Sequence, residues 1–429
     1  MSSTADRVDC SHRPPCPGCP RLGEPGIAPG PALALARIAR EAGAALAPVR
    51  EAGAVGHRHR ARLMVRGRAR APRIGIFERG THRVVHIPRC PVHHPVVNRA
   101  AEALARAIRA TGCPPYADAP HRGCVRALQV VVERASQRAQ VVVVTNDATL
   151  EATPRAVDLL AALADDLASA ELLHSLWWNG NPARTNTILG PHWRLVAAPG
   201  APARAGAGAL PDEAGWVCER IGGARVWFPP GAFGQSHLAL ADAIVERVHA
   251  LAARRGARRI AEAHAGCGAI GLGLLARGAH VAFNEQSPAG LAGLARGIAD
   301  AQPEGPGAAR ARVLAGPAGE AAGSVSGPAG SAPGLLDGAE LAIVDPPRRG
   351  LEPSLAAALA ASDVPAIAYV SCSVTSLERD LAVLLESGRL ALTSLEPFAL
   401  FPFTEHVETL AVLEVPGRAA RSSPPIHSI

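Results

Sequence analysis

The stretch Ile260-Ala261-Glu262-Ala263-His264-Ala265-Gly266-Cys267-Gly268-Ala269-Ile270-Gly271 joins a short apolar run to a glycine-rich turn and a second apolar segment. This pattern predicts a buried strand, a tight turn and the start of a helix. Glycines at 266 and 268 let the backbone approach a ligand closely, and the free amide groups of the following helix N-terminus face that ligand. The stretch therefore predicts a ligand-binding strand–turn–helix unit of an α/β sheet.

The same alternation continues on both sides of this unit, from about residue 226 onward, and favours a doubly wound sheet. Buried parallel strands are predicted at 260–263, 280–284, 341–344 and 365–370, and helices at 272–277, 289–299, 354–361 and 376–385. Residues 390–396 and 405–415 predict an antiparallel pair. The stretch 302–337 is rich in Pro, Gly, Ala and Ser and predicts a flexible surface loop.

The preceding half of the chain divides into two predicted regions, 1–95 and 96–225, before the third region 226–429. In the first region, arginines alternate with apolar residues. This alternation predicts strands with one cationic face, although an ordinary solvated face fits equally well. The arginines are Arg58, Arg60, Arg62, Arg66, Arg68, Arg70 and Arg73. The central region predicts an α+β fold, with helices at 97–110 and 154–167 and strands at 125–132 and 140–145.

The bulk composition is that of a globular protein, with 48% hydrophobic and 19% charged residues in 429. We find no membrane-spanning run and no apolar signal segment at the N-terminus, so the sequence predicts a cytoplasmic protein. The net charge of +7 is compatible with a polyanionic partner.

Four cysteines form a pattern typical of metal ligands. Cys10, Cys16 and Cys19 lie close together, Cys90 follows far downstream, and clustered cysteines in a reducing compartment favour metal over disulfides. Proline follows three of them, as in many iron–sulfur proteins, but four thiolates suit tetrahedral zinc equally well. Spacing alone leaves the choice of metal open.

Further candidate site residues follow the predicted strands. Glu285 closes the strand about twenty residues after the glycine turn, where an acidic side chain can bind ribose hydroxyls. Because Glu262 adds a second carboxylate and no phosphate-specific feature is present, S-adenosylmethionine suits the site at least as well as a dinucleotide. Cys372 ends the strand 365–370 and would face the ligand crevice, where a thiolate can attack carbon. A buried structural cysteine is the alternative.

Five segments together resemble the RNA uracil-5-methyltransferase family. They are Asp345-Pro346-Pro347-Arg348, Val370-Ser371-Cys372, Phe403-Thr404-Glu405-His406-Val407-Glu408, Pro229-Pro230-Gly231-Ala232-Phe233-Gly234-Gln235 and Arg184-Thr185-Asn186-Thr187-Ile188-Leu189-Gly190. The resemblance runs from Cys10 to about Val415 in the family's order. It implies a class I (Rossmann-like) methyltransferase sheet preceded by an N-terminal and central α+β RNA-binding domain that carries a metal cluster.

The resemblance also implies roles for individual residues. Cys372 would be the nucleophile that adds to C6 of uracil, and Glu408 the base that removes the C5 proton. The residues that would contact S-adenosylmethionine, or line the pocket between it and uracil, are Gln235, His264, Gly266, Gly268, Glu285 and Asp345. The family's [4Fe–4S] cluster would be bound by Cys10, Cys16, Cys19 and Cys90.

Several alternatives stay open within this resemblance. Because only nine residues precede Cys10, we expect the chain to resemble the branch that modifies 23S ribosomal RNA, which lacks the β-barrel RNA-binding domain of many relatives. Transfer RNA is the second candidate substrate, and a non-catalytic iron–sulfur RNA-binding protein is the alternative class. Arg348 stands where enzymes that methylate exocyclic amines have an aromatic residue, which disfavours that chemistry. We expect a monomer.

Overall fold

The computed structural model describes residues 8–24, 26–199, 213–302, 310–323 and 333–417. Contacts group the chain into two units. Unit 1 comprises Met1–Pro25, Gly53–Glu219 and Trp227–Leu238, and unit 2 comprises Gly26–Ala52, Arg220–Val226 and Ala239–Ile429. No helix of the described ranges is both long enough and apolar enough to span a membrane.

The described helices are α1 (Pro29–Ala42), α2 (Pro95–Thr111), α3 (Pro154–Ser169), α4 (Leu238–Arg255), α5 (Gly271–Ala276), α6 (Pro288–Ala301), α7 (Ala318–Ala321), α8 (Pro353–Ala361) and α9 (Val374–Leu385). The strands are β1 (Ala45–Leu46), β2 (Arg60–Arg68), β3 (Ala71–Phe77), β4 (Val84–His86), β5 (Val125–Val132), β6 (Ala139–Thr145), β7 (Leu173–Gly180), β8 (His192–Ala197), β9 (Val217–Ile221), β10 (Ala224–Phe228), β11 (Arg259–Ala263), β12 (His280–Glu285), β13 (Ala311–Ala315), β14 (Leu341–Val344), β15 (Ala366–Ser371), β16 (Ala391–Phe398) and β17 (Glu408–Glu414).

Unit 1 is built on a seven-stranded sheet in the order β4-β3-β2-β5-β6-β7-β8, in which only β6 and β7 pair in parallel. Helices α2 and α3 cover one face and enclose an apolar core with Leu63, Leu128 and Val143. In β2 the alternation predicted from the sequence is confirmed, because Ala61, Leu63 and Val65 are buried while Arg62 is exposed. The arginines of β2 therefore belong to the other face of the sheet.

Unit 2 contains an eight-stranded sheet in the order β1-β16-β17-β15-β14-β11-β12-β13. The pairs of β11 with β12 and β14, of β12 with β13 and of β14 with β15 are parallel, and β17 is antiparallel to β15 and β16. The doubly wound α/β prediction is therefore confirmed. The strand order reverses beside β11, and ligands of such sheets bind at this switch point, outside the carboxyl ends of the strands.

The prediction of a loop throughout 302–337 is wrong for part of that stretch. Strand β13 pairs with β12, and the Asn284 side chain donates hydrogen bonds from Nδ2 to the carbonyl oxygens of Leu314 and Gly316, both at 2.9 Å. Short α7 follows β13. The apolar signal was weak because β13 is an edge strand with no fully buried residue. Residues 303–309 and 324–332 lie outside the described part of the chain.

Residues 26–52 belong to unit 2, although they precede most of unit 1 in the chain. Strand β1 pairs in parallel with β16, and Arg50 forms an ion pair with Glu396 of β16. Arg247 of α4 binds the same carboxylate, with Nε at 2.6 Å from Oε2. The Glu396 side chain is only 7% exposed, so the two arginines neutralise a charge that burial would otherwise penalise.

We expect Glu396→Ala to lower the free energy of unfolding by about 2–3 kcal/mol, since it removes a buried carboxylate bonded to two guanidinium groups. Glu41→Ala is the matched control, because Glu41 pairs with Arg37 on an exposed face of α1 and such pairs contribute little. Urea unfolding followed by far-ultraviolet circular dichroism measures both. Equal effects of the two substitutions would contradict this account of the shared carboxylate.

Candidate active site and thiol cluster

The glycine-rich turn after β11 has left-handed backbone conformations at alternate residues. The φ angles are 58° at His264, 56° at Gly266 and 82° at Gly268. A Cβ atom on Gly268 would lie 2.7 Å from Leu272 Cγ and 2.8 Å from Leu294 Cδ1, whereas no atom lies within 4 Å of one on Gly266. Gly268 thus permits close packing of the turn on α5 and α6, and Gly266 leaves open space where a ligand can approach the backbone.

Glu285, at the end of β12, holds this turn in place. Its carboxylate accepts hydrogen bonds from the backbone amides of Gly266 at 2.7 Å, Gln286 at 2.9 Å and Ser287 at 2.6 Å. The structure therefore brings Glu285 together with the turn, as the sequence predicts. A carboxylate has about four lone-pair sites, so roughly one remains for a ligand hydroxyl.

Glu262, on β11 beneath the turn, is only 3% exposed, and its Oε2 has no hydrogen-bond partner among the described residues. Burial raises its pKa to about 8, with Asp345 and Glu285 adding to the shift and the Gly271 amide opposing it. His264, at the end of the same strand, also has a buried ring nitrogen, Nδ1, without a partner in the described ranges. Burial lowers the pKa of His264 and so favours its neutral form. Because Glu262 Oε2 and His264 Nδ1 are buried without partners, a polar ligand bound beside the glycine turn could supply the missing hydrogen bonds.

His249 of α4 supports the turn from behind, and no sequence motif identified it. An arginine side chain can only donate, so Nδ1 of His249 accepts from Arg277 and Nε2 carries the ring proton. Nε2 donates that proton to the carbonyl oxygen of Ile270 at 2.8 Å. The last residue before α5 is therefore fixed by a buried side chain from a different helix.

The register of the antiparallel strands β15 and β17 brings Cys372 and Glu408 together. Ser371 pairs with Thr409, so the next residue along β15 lies beside the residue that precedes Thr409 on β17. Glu408 is 1% exposed, and neither carboxylate oxygen has a hydrogen-bond partner among the described residues. Asp345 follows the neighbouring parallel strand β14 at the same edge of the sheet.

The charges around Cys372 disfavour its thiolate. Burial, followed by the charges of Glu408 and Asp345, raises the pKa of Cys372 to about 11, although Arg348 and a backbone hydrogen bond oppose the shift. Burial also raises the pKa of Asp345 to about 7 and that of Glu408 well above its usual range. The cationic partner that could ionise the cysteine is therefore present, but two acidic neighbours and burial outweigh it.

A buried carboxylate shapes the loop that follows Asp345, and sequence inspection did not identify it. Asp380 of α9 is 3% exposed and accepts hydrogen bonds from the Tyr369 hydroxyl and the Leu351 amide, both at 2.7 Å. Ser376, one helical turn earlier, donates from Oγ to the Arg348 carbonyl oxygen at 3.1 Å. Helix α9 thus fixes the loop that carries Arg348 between β14 and α8. The only sequence signal is the polar face of an otherwise apolar helix.

One predicted cofactor contact belongs to the other unit. Gln235 lies in the unit 1 segment Trp227–Leu238, whereas His264, Gly266, Gly268, Glu285 and Asp345 all belong to unit 2. The contact of Gln235 with a cofactor therefore stays a prediction.

The four predicted ligand cysteines surround one cavity of unit 1. Cys10, Cys16, Cys19 and Cys90 line a cavity of about 180 Å³ together with Arg58, and all four are free thiols. Burial raises the pKa of Cys19 to about 11, and the other three thiols add to the shift. In the described part of the chain, no group of three or more His, Cys, Asp or Glu side chains could hold a metal ion. The thiols are thus gathered around a common space without converging on one point.

The comparisons with known proteins agree with the site in unit 2. A family model described as tRNA (Uracil-5-)-methyltransferase matches residues 338–415, the segment that contains Asp345, Cys372 and Glu408. An RNA methyltransferase of Protochlamydia amoebophila is 30% identical over 95% of this chain and 97% of its own length. Another, of Parasynechococcus marenigrum, is 30% identical over 84% of this chain and 70% of its own length.

A solved structure shares the fold. The tRNA (uracil-54, C5)-methyltransferase of Pyrococcus abyssi, in complex with S-adenosyl-L-homocysteine, aligns with a TM-score of 0.69 and 21% identity. The alignment covers 96% of this chain and 86% of the Pyrococcus chain. Because the Protochlamydia relative is 30% identical over nearly the full length of both chains, this chain belongs to the same family of RNA methyltransferases, and its residues 338–415 match the uracil-5-methyltransferase model.

Proposed function

We propose that this protein methylates C5 of a specific uridine in 23S ribosomal RNA, through a covalent bond between Cys372 and C6 of the uracil. The observation that carries the proposal is the pairing of β15 with β17, by which a nucleophile and a buried carboxyl group become neighbours. Both lie in the segment that matches the uracil-5-methyltransferase model.

The reaction needs both groups because C5 of uracil is a poor nucleophile. Cys372 first releases its thiol proton to water. Sγ then bonds to C6, and the electrons of the C5–C6 double bond move toward C5 and O4 as an enolate. S-adenosylmethionine, when bound, supplies a methyl group as an electrophilic carbon on a cationic sulfonium. Glu408 then accepts the proton on C5, the double bond re-forms and Sγ leaves C6. The target base must be unstacked to enter such a pocket.

Three neighbouring carboxyl groups suit the binding of a cation. Burial raises the pKa values of Glu262, Asp345 and Glu408, so the protein resists holding these groups as anions. A positive charge beside them favours their ionised forms. Glu408 is therefore prepared as a base when the pocket contains a cation, and Glu285 is available to hold a hydroxyl of the same ligand.

We also propose that Cys10, Cys16, Cys19 and Cys90 bind a [4Fe–4S] cluster. Each thiolate of such a cluster binds a different iron atom, so the sulfurs need only surround a common space, as they do around this cavity. A single zinc ion would need all four sulfurs at about 2.3 Å from one point. Arg58, which lines the same cavity, offsets part of the negative charge of the thiolates. The cluster would stabilise the N-terminal part of unit 1.

The nature of the reaction and of the RNA can be tested together with RNA containing 5-fluorouridine. Fluorine cannot leave C5 as a cation, so the enzyme should remain covalently bound to the methylated base through Cys372. We expect a stable adduct on 23S ribosomal RNA transcripts when S-adenosylmethionine is present, detected by denaturing gel electrophoresis, and none with Cys372→Ala.

Cys218→Ala is the control, because Cys218 lies on β9 of unit 1, outside the segment that matches the family model, and the variant should still form the adduct. An adduct on transfer RNA alone would exclude the ribosomal substrate. Wild-type protein that binds both RNAs without forming any adduct would instead indicate a non-catalytic RNA-binding protein.

We expect Glu408→Gln to lower the pKa of Cys372, because the negative charge of Glu408 is the second-largest cause that raises it. The thiolate would then form at lower pH. The rate of iodoacetamide alkylation of the Cys372 peptide, followed against pH by mass spectrometry, measures this shift. Glu405→Gln is the control, since Glu405 is exposed on the loop before β17. An unchanged or higher alkylation pH in Glu408→Gln would mean that the two side chains do not interact.

Anaerobic purification should give brown protein containing iron and acid-labile sulfide in equal amounts. Cys19→Ser should lose both, because it removes a ligand of the cavity, whereas Cys218→Ser should keep both, because Cys218 is in β9 and does not line that cavity. Iron and sulfide analysis together with the visible absorption spectrum measure the outcome. Stoichiometric zinc without iron would refute the iron–sulfur proposal.

A further inference from the structure

A second cavity of unit 1, of about 330 Å³, lies on the sheet face opposite α2 and α3. Arg60 and Arg62 of β2 line it, as does Arg58 just before that strand. Arg60 and Arg62 are two residues apart on β2, so their side chains point to the same side of the sheet, and Arg58 lines the same cavity. No acidic side chain is among the described residues that line this cavity.

Gln129 of β5 also lines this cavity and has an unused donor group. It pairs with Arg62 across the strands, and its Oε1 accepts a hydrogen bond from Arg62 Nε at 2.8 Å. The residue is 4% exposed, and its Nε2 is buried without a hydrogen-bond partner in the described part of the chain. Because the oxygen is occupied and the amide hydrogens are not, the side chain presents only donors to whatever fills the cavity.

Arg60 is held rigidly beside this donor. Its Cζ lies 4.0 Å from the centre of the Phe228 ring, and a Cβ on Gly234 would lie 2.6 Å from the same atom. The guanidinium is therefore confined between an aromatic ring and a backbone without a side chain. A fixed guanidinium loses little freedom on binding an anion.

We propose that this cavity binds a backbone phosphate of the RNA substrate, at a nucleotide other than the methylated uridine. The Gln129 amide and the Arg62 guanidinium would donate to the non-bridging oxygens, and Arg58 and Arg60 would add positive charge. A phosphodiester fits because it has several acceptor oxygens, no donor and one negative charge. The identification of the ligand as RNA rests on the proposed function, whereas the preference for a phosphate rests on the donors alone.

Gln129→Glu tests the proposal with an isosteric change. Its carboxylate still accepts from Arg62, so the fold should be retained, but the buried donors become acceptors that repel phosphate. Gln137→Glu is the matched control, because it adds the same charge to an exposed turn of unit 1. Binding of a fluorescein-labelled single-stranded oligouridylate of about ten nucleotides is measured by anisotropy at several salt concentrations.

For Gln129→Glu we expect about tenfold weaker binding of the oligouridylate. The slope of log affinity against log salt should also become shallower by about 0.7, which is the change expected when one phosphate contact to a single strand is lost. Arg62→Ala should behave in the same way, while Gln137→Glu should stay within about twofold of the wild type at equal salt. Methylation at saturating RNA should keep its kcat in Gln129→Glu and show only a raised KM.

Equal affinity and salt slope for the Gln129→Glu and Gln137→Glu proteins would overturn the phosphate site. Selective displacement of the oligouridylate by inorganic phosphate, beyond that caused by chloride at equal ionic strength, would assign the cavity to a free anion instead. A third outcome separates the two proposals. If Gln129→Glu weakens oligouridylate binding as expected but the wild-type protein methylates no uridine, the proposed function is refuted and the phosphate site is retained.

Discussion

The carboxyl group of Glu408 is buried where β17 begins, and within the described residues nothing donates a hydrogen bond to it. An unpaired carboxylate is costly in such a place, so the group is protonated or a cation lies beside it. The surroundings of Glu408 follow from this constraint. Asp345 raises the pKa of Glu408 further and Arg348 opposes that shift, while Glu408 in turn raises the pKa of Cys372. A cationic ligand that binds beside the Glu408 carboxyl would favour its ionised form, and an ionised carboxylate can accept a proton as a base.

Several buried side chains hold the segments around Cys372 and Glu408 in place. Asp380 holds the loop after β14 by binding the Leu351 amide and the Tyr369 hydroxyl. His249 fixes Ile270 at the start of α5, and Glu285 binds three amides around the glycine turn. Rigid positioning of this kind matters because catalytic groups act only when their geometry is fixed before the substrate arrives. Each support is a buried polar side chain that forms at least one hydrogen bond with a backbone atom of another segment.

Unit 1 has a different chemical character. Its helices cover one face of a sheet, while the arginines of β2 lie on the other face. Arg58 lines two cavities. One is lined by Arg60, Arg62 and Gln129, and the other is lined by the four cysteines. Because the two cavities share this cationic side chain, a change of charge beside the cysteines alters the electrostatic potential in the cavity lined by Arg60, Arg62 and Gln129. A negative charge placed among the four cysteines would therefore weaken the positive field on the sheet face.

The sequence by itself determined the elements of the α/β sheet in unit 2, because buried parallel strands are continuous apolar runs and their helices have clear boundaries. It also indicated Cys372 and Glu285 as candidates, because each lies at a predicted strand end, whereas Glu408 and Asp345 became candidates through the family resemblance. It did not indicate β13, the attachment of residues 26–52 to unit 2 or the roles of His249, Asp380 and Gln129. Only the tertiary structure decided these, since each depends on pairing between residues that are distant in the chain. The acidic surroundings of Cys372 likewise arise from strand register, which local sequence patterns do not encode.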